Sequence, residues 1–254
     1  MIIWNFFAFI FGAVVGSFLN VCIYRLPDKT SIIKPLSRCP RCEKPIRFYD
    51  NIPIISFFIL KGKCRDCGGK ISWRYPLVEL ITAVLALLLF LTFGFSLKFL
   101  AAFVFTAALV VITFIDLDHQ IIPDIITLPG IPIFLLAGIF IMKVPWPEAV
   151  IGVLAGGGVL FAIAFVYEAL TKREGMGGGD IKLLGMIGGF FGWKALIFIL
   201  LVSSLTGALI GIAAMIIKKQ DMKYALPFGP FLAAAAVAYF FCGNAFMRLV
   251  FMSY

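Results

Sequence analysis

Residues 97–124 read LKFLAAFVFTAALVVITFIDLDHQIIPD. From Leu97 to Ile115 the stretch is apolar apart from Lys98, Thr106 and Thr113, and its length meets the roughly 20 residues that a helix needs to cross a bilayer. It then changes character within one residue. Asp116, Asp118, His119 and Asp124 follow directly, so a membrane helix ends on a cluster of ionisable groups. Ionisable side chains near hydrocarbon are costly to keep and by default suggest function.

The rest of the chain resembles the first part of that stretch. Of 254 residues 62% are hydrophobic and 28 are Phe, and only 14% are charged. Mean hydropathy is +1.07. Such a composition excludes an ordinary soluble domain, about a quarter of which is charged. Apolar runs lie near 2–24, 76–95, 97–115, 125–142, 148–170, 181–193, 195–217 and 226–250, which predicts about eight transmembrane helices. The run at 2–24 is too long for the apolar centre of a cleaved signal peptide and reads as a retained first helix. The run at 181–193, short and rich in glycine, is the one expected to tilt, break or stop short. Gly152-x-x-x-Gly156 and Gly207-x-x-x-Gly211 are spaced for close helix packing within the chain rather than for dimerisation.

Residues 25–74 form the one long stretch that is not membrane-like. Arg25, Lys29, Lys34, Arg38, Arg41, Lys44, Arg47, Lys61, Lys63, Arg65, Lys70 and Arg74 there face only Asp28, Glu43, Asp50 and Asp66. Basic loops stay on the cytoplasmic side. With eight alternating crossings Lys172, Arg173, Lys182, Lys218, Lys219 and Lys223 fall on that same side, leaving Lys98, Lys143, Lys194 and Arg248 for the other. The net charge of +9 therefore reflects topology and contact with anionic lipid, not nucleic-acid binding. Three parts are expected: a first helix at 1–25, a cytoplasmic domain at 26–75, and a membrane bundle at 76–254.

Inside the cytoplasmic part sit Cys39-Pro40-Arg41-Cys42 and Cys64-Arg65-Asp66-Cys67, the second followed by Gly68 and Gly69. Two C-x-x-C turns can close a four-thiolate tetrahedron around Zn²⁺, and a glycine after the second cysteine suits the bend of the knuckle. A closed four-sulfur shell leaves no position for water, so the expected role is to staple a segment too small for its own core. A redox dithiol or an iron–sulfur site stands as the alternative. Cys22 and Cys242 lie in apolar runs and read as inert core thiols.

A lone acid, Asp180, follows Gly177-Gly178-Gly179 and precedes Ile181 and Lys182. One crossing out and one back separate it from Asp116, so both carboxylates return to the cytoplasmic edge. Two carboxylates that approach in a poorly hydrated site share a proton, and one can then act as general base toward water while the other acts as general acid toward an amide. Glycines ahead of Asp180 let a strand or a neighbouring helix come close. Pro123 is placed to start the next helix, with Asp124 in its first turn, where capping is the competing role. Asp118, two positions from Asp116, faces another side of the helix and reads as supporting. His119, the single histidine, reads as incidental. Glu79, just inside the second helix, is a candidate for supporting group transfer or for the bundle interior. No H-E-x-x-H and no G-K-[ST] accompanies these residues, which argues against a zinc hydrolase or a phosphate loop.

Taken with Gly16-Ser17-Phe18-Leu19-Asn20-Val21, Tyr24-Arg25-Leu26-Pro27, Asn51-Ile52-Pro53, Trp73-Arg74-Tyr75-Pro76 and Pro227-Phe228-Gly229-Pro230, these motifs resemble the type IV prepilin peptidases almost end to end. The resemblance implies that Asp116 and Asp180 are the catalytic aspartates of a multi-pass aspartyl protease in the bacterial inner membrane. It implies cleavage of prepilins or pseudopilins on the cytoplasmic side, after a short basic leader, and methylation of the new N-terminus with S-adenosylmethionine. Gly177, Gly179 and Lys182 belong to the matching motif, and Asp118, Asp124 and Glu79 are candidate supporting residues. The acidic spot formed by Asp116, Asp118 and Asp124 on a basic face is suited to receive a leader's Lys or Arg. A proton-coupled transporter is the reading from another class; it needs acids at the midplane, whereas both aspartates lie at one edge. A non-catalytic assembly protein is the third, and it would leave cleavage intact when Asp116 and Asp180 become Asn.

Overall fold

Apolar helices in lipid gain nothing from hiding apolar surface from one another; they associate through close van der Waals contact between small residues. The computed structural model, which describes residues 2–34, 36–171, 177–218 and 227–251, is built on that rule in two compact units, Met1–Val111 and Ile112–Tyr254. Among the described residues the regular structure is helical, apart from two isolated antiparallel bridges, Arg38 with Pro45 and Lys63 with Lys70. Lys172, Arg173, Lys219 and Lys223, used above for sidedness, lie outside the described residues.

In the first unit α1 (Ile2–Arg25) packs along α3 (Arg74–Phe93). Gly12 and Gly16 make the approach possible: a Cβ on Gly12 would lie 2.6 Å from the Ala86 Cβ and 2.7 Å from the Ala83 Cα, and one on Gly16 would lie 2.8 Å from the Glu79 Cα. The buried Asn20 amide donates to the Tyr75 carbonyl at 3.1 Å, tying the end of α1 to the start of α3. Between these helices run the cysteine segment and the short α2 (Ile55–Ile59). α4 (Leu97–His119) begins in this unit, and its last turns, from Ile112, belong to the second.

The second unit continues with α5 (Asp124–Phe140), α6 (Trp146–Val153), a π-helical turn at Leu154–Val159, α7 (Leu160–Thr171), α8 (Gly178–Phe191), α9 (Trp193–Lys218) and α10 (Gly229–Phe251). The run at 148–170 is one apolar stretch in sequence, yet Gly156, Gly157 and Gly158 let it widen into the π turn between α6 and α7. α8, the segment expected to be weakest, is unbroken and is the best buried of the unit. Every residue from Ile181 to Phe190 is buried except Lys182. It packs against α5, α6, the π turn and α9. Gly188 and Gly152 touch backbone to backbone; a Cβ on Gly138 would meet the Gly189 carbonyl at 2.6 Å, and one on Gly156 the Leu184 carbonyl at 2.5 Å. The Gly152-x-x-x-Gly156 spacing thus serves packing inside the chain.

Among the described residues five helices are long and apolar enough to cross a membrane: α1, α3, α4, α9 and α10. α5 is a shorter apolar helix of 17 residues, α8 has 14, and the α6–α7 stretch is divided. The chain is a multi-pass helical membrane protein, and length alone does not raise the number of spans to eight. Cys22 is buried in α1, as expected of a core thiol. Cys242, expected inside, is instead exposed on α10. An uncharged thiol facing hydrocarbon carries little penalty, so sequence apolarity does not tell core from lipid face.

Candidate active site

The cysteine segment folds into two similar turns. In the first, the Cys39 N–H donates to the Lys44 carbonyl (3.0 Å) and the Glu43 N–H to the Cys39 carbonyl (2.9 Å). In the second, Cys64 donates to Gly69 (2.8 Å) and Gly68 to Cys64 (2.9 Å). Each turn needs a left-handed residue straight after its second cysteine, and Glu43 (φ 57°) and Gly68 (φ 67°) supply it. The turns bring the sulfurs of Cys39, Cys42, Cys64 and Cys67 within 4.8 Å of one another. Cys39 Sγ and Cys67 Sγ stand 3.8 Å apart. A tetrahedron with metal–sulfur bonds of ~2.3 Å has edges of about 3.8 Å, so the four thiols fit a metal ion of that kind. The backbone N–H groups of Cys42 and Arg41 hold the Cys39 thiol down to about 7, while at Cys42, against the pull of the Lys44 N–H, burial and the neighbouring sulfurs push the thiol up to about 11, so the cluster shares its negative charge unevenly.

Around this centre the Arg65 guanidinium grips Asp50 with both Nε and a terminal nitrogen, the shortest contact being 2.6 Å. That fork keeps the Asp50 carboxyl below its ordinary range. Glu79, buried at the start of α3, accepts the Ile54 N–H at 2.7 Å. Ile54 has φ 63°, a conformation that a β-branched residue adopts only when its surroundings hold it. Glu79 therefore fixes the loop that follows Asn51-Ile52-Pro53, within the same unit as the four cysteines.

In the second unit three helix ends converge. Asp116 lies in the last turns of α4, is 5% exposed, and accepts the backbone N–H of Gly229 at 3.1 Å. Gly229 is the first residue of α10, so this N–H is one that the helix leaves without an internal partner, at the positive end of its dipole. A Cβ on Gly229 would fall 2.6 Å from the Asp116 Oδ2. After α4 the chain turns at Gln120, whose N–H bonds the Asp116 carbonyl, and Ile122 reaches two glycines at once. Its side chain lies 3.2 Å from where a Gly229 Cβ would stand and 2.7 Å from where a Gly179 Cβ would. Ile122 thus spaces the start of α10 and the start of α8 around Asp116.

Asp180 is in the first turn of α8 and half-buried, its N–H bonded to the Gly177 carbonyl at 3.1 Å. Its carboxyl lies within electrostatic reach of Asp116. The two aspartates singled out in sequence are therefore brought together. Asp118 is exposed while Asp116 is buried, as their offset of two residues predicts, and His119 is exposed at the end of α4. Asp124 opens α5 behind Pro123, but no side chain caps that helix. Its carboxylate instead takes the Lys182 ammonium at 2.7 Å. Gly177 is the residue preceding α8, and Gly179 lies against Ile122.

Gly229 and Ile122 were not legible as site residues. Glycine offers no side-chain chemistry, and only the Pro227-Phe228-Gly229-Pro230 punctuation at a helix start hinted that a free N–H was being presented. The assembled site holds one buried carboxylate with a fixed backbone donor, a second carboxylate within electrostatic reach of it, and an ion pair near the starts of α5 and α8. Such an arrangement can move protons to and from a water molecule and an amide.

Comparison with known proteins divides along the same lines. Residues 10–93 match the family described as the bacterial peptidase A24 N-terminal domain, and residues 103–212 match the type IV leader peptidase family. A prepilin leader peptidase/N-methyltransferase of Aeromonas salmonicida strain A449 is 40% identical over 96% of this chain and 94% of its own length. Proteins of the same name from Neisseria gonorrhoeae (39% identical, 96% and 92% covered) and Pseudomonas putida (36%, 92% and 93%) are similar throughout. No solved structure matches.

Proposed function

We propose that this chain, which belongs to the type IV leader peptidase family, cleaves the leader of prepilins and pseudopilins by an aspartyl mechanism at Asp116 and Asp180, then methylates the new N-terminus. The observation that carries the reading is the buried Asp116 carboxylate, held by the Gly229 N–H and within electrostatic reach of Asp180. With one proton between them, the ionised member takes a proton from the attacking water, and the protonated member gives its own to the departing amine. Positioned proton transfers of this kind contribute typically about 10² to 10⁴-fold each. The pair titrates as a unit, so neither aspartate is assigned one role.

The four thiolates of Cys39, Cys42, Cys64 and Cys67 fit Zn²⁺, which when bound would close the two turns into one scaffold. S-adenosylmethionine enters as the methyl donor, a co-substrate to which no residue is assigned. The basic segment 25–74 supports a cytoplasmic position for the cysteine domain and for both aspartates, in the bacterial inner membrane. The reading is tested by mass spectrometry of a prepilin co-expressed with wild type, Asp116→Asn, Asp180→Asn and Cys39→Ser. Loss of cleavage in both aspartate variants, with the proteins present in the membrane, is expected. Retained cleavage in either one overturns the assignment. Cleavage of the purified prepilin in detergent, where no gradient exists, sets a protease apart from a transporter.

A further inference from the structure

Asp124 and Lys182 belong to different helices and meet near the starts of both, Asp124 at the first residue of α5 and Lys182 at the fifth of α8. Lys182 lies two residues beyond Asp180 in α8, and Asp124 lies two residues beyond Ile122, whose side chain rests on Gly179. Their ion pair is therefore strung along the same edge as the acid pair. It is also exposed: the Asp124 side chain is 56% accessible and the Lys182 side chain 35%. Pairs of that kind are weak, because water screens them and two flexible side chains must be held. A weak pair between one carboxylate and one ammonium can be exchanged for another cation at little cost.

We propose that this pair senses leader charge: a Lys or Arg of the substrate takes Asp124 from Lys182, so that Lys182 acts as a built-in competitor for the leader. The inference rests on the leader-peptidase reading and adds the residues that set its charge preference. An incoming guanidinium has the advantage over an ammonium, since its planar fork can use both carboxylate oxygens. Lys182, once released, stays near the start of α8 and returns when the leader leaves.

The exchange makes a prediction that a merely structural strut does not share. The full-length enzyme in detergent is given a prepilin with its basic leader and the same prepilin with the leader's Lys and Arg replaced by Gln, and the ratio of the two KM values is measured. Lys182→Met removes the competitor, so the preference for the basic leader rises by about threefold. Asp124→Asn removes the receiver, so the preference falls by a similar factor. A strut predicts instead that both variants lower kcat for both leaders and leave the ratio at the wild-type value. Shifts of the same sign, or an unchanged ratio, overturn the proposal while leaving the peptidase reading intact. A wild-type enzyme that cleaves neither substrate overturns both.

Discussion

Gly179→Ala adds one methyl group where the start of α8 packs tightly on the Ile122 side chain in the proposed active site. An ideal Cβ there would stand 2.7 Å from the Ile122 Cβ, 3.3 Å from its Cγ1 and 3.5 Å from its Cδ1. Carbon atoms pack at about 3.5–4.0 Å, so the first turn of α8 or the Ile122 loop must retreat by about 1 Å. Asp180 is the next residue and moves with it. Displacing a reacting group by about 1 Å can cost on the order of 10²-fold in rate. The adjacent Gly178 is the control, because nothing lies within 4 Å of a Cβ placed on it. Both changes give the helix the same gain, about 0.5–1 kcal/mol for Ala over Gly, so a difference between them is not one of helix propensity. Cleavage of a purified prepilin in detergent, with kcat and KM separated and thermal unfolding measured alongside, is expected to show Gly179→Ala losing about 10²-fold in kcat. Gly178→Ala should stay near wild type. Because the closest contact is with a Cβ, Ile122→Ala should not rescue Gly179→Ala. Equal activity in the two alanine variants would refute the reasoning.

Gly229→Ala is expected to reduce cleavage without unfolding the bundle, since its Cβ would stand 2.6 Å from the Asp116 Oδ2 and push the donor N–H away; circular dichroism in detergent checks the fold. Removing the metal with a chelator, or Cys39→Ser, should make the segment between α1 and α3 readily cut by trypsin, and limited proteolysis followed by peptide mapping reads this directly. Asp50→Asn should weaken the same segment at neutral pH. The Asp50 carboxyl is held low by Arg65, so its contribution is present above the ordinary carboxylate value of about 4 and is lost as pH falls through the still lower folded value. The difference between wild type and variant should therefore be constant from neutral pH down to about pH 5 and close only in stronger acid, as followed by a protease-resistance titration with an acid-active protease.

The cysteine centre was legible because its chemistry is local. Two C-x-x-C turns and a glycine state their own geometry, and the structure adds only that Glu43 takes the left-handed position without being a glycine. Asp116 and Asp118 were separable for a similar reason, since an offset of two residues on a helix puts two side chains on different faces. The position of Asp180 beside Asp116 was legible as far as the membrane edge, and no further. Its approach depends on Ile122, Gly179 and Gly229, three residues without polar side chains that act through volume or through a backbone N–H. A reading by chemical groups passes over all three.

α8 is short, as expected of the run at 181–193, but it is unbroken and closely packed, and the reason is physical. Hydropathy counts glycine as weakly apolar, so a run with Gly185, Gly188 and Gly189 scores as a doubtful span. In a bilayer the relevant quantity is how closely backbones can approach, and on that scale α8 is the best packed helix of its unit. This bears on the proposed mechanism, because Asp180 sits at its first turn and that mechanism needs its carboxylate held to within about 0.5 Å. Contacts with Gly152, Gly156 and Gly138 fix the axis of α8 from two sides, and the placement of Asp180 follows from them. Gly188→Val should thus do more than lower stability by the about 1–3 kcal/mol of an overpacked interior. The side chain would drive α8 from α6 some two turns away from Asp180, and kcat should fall even at temperatures where thermal unfolding in detergent shows the protein folded. A variant that lost stability but kept full kcat in its folded fraction would show that Asp180 is positioned by its local loop alone, and not by the glycine contacts of its helix.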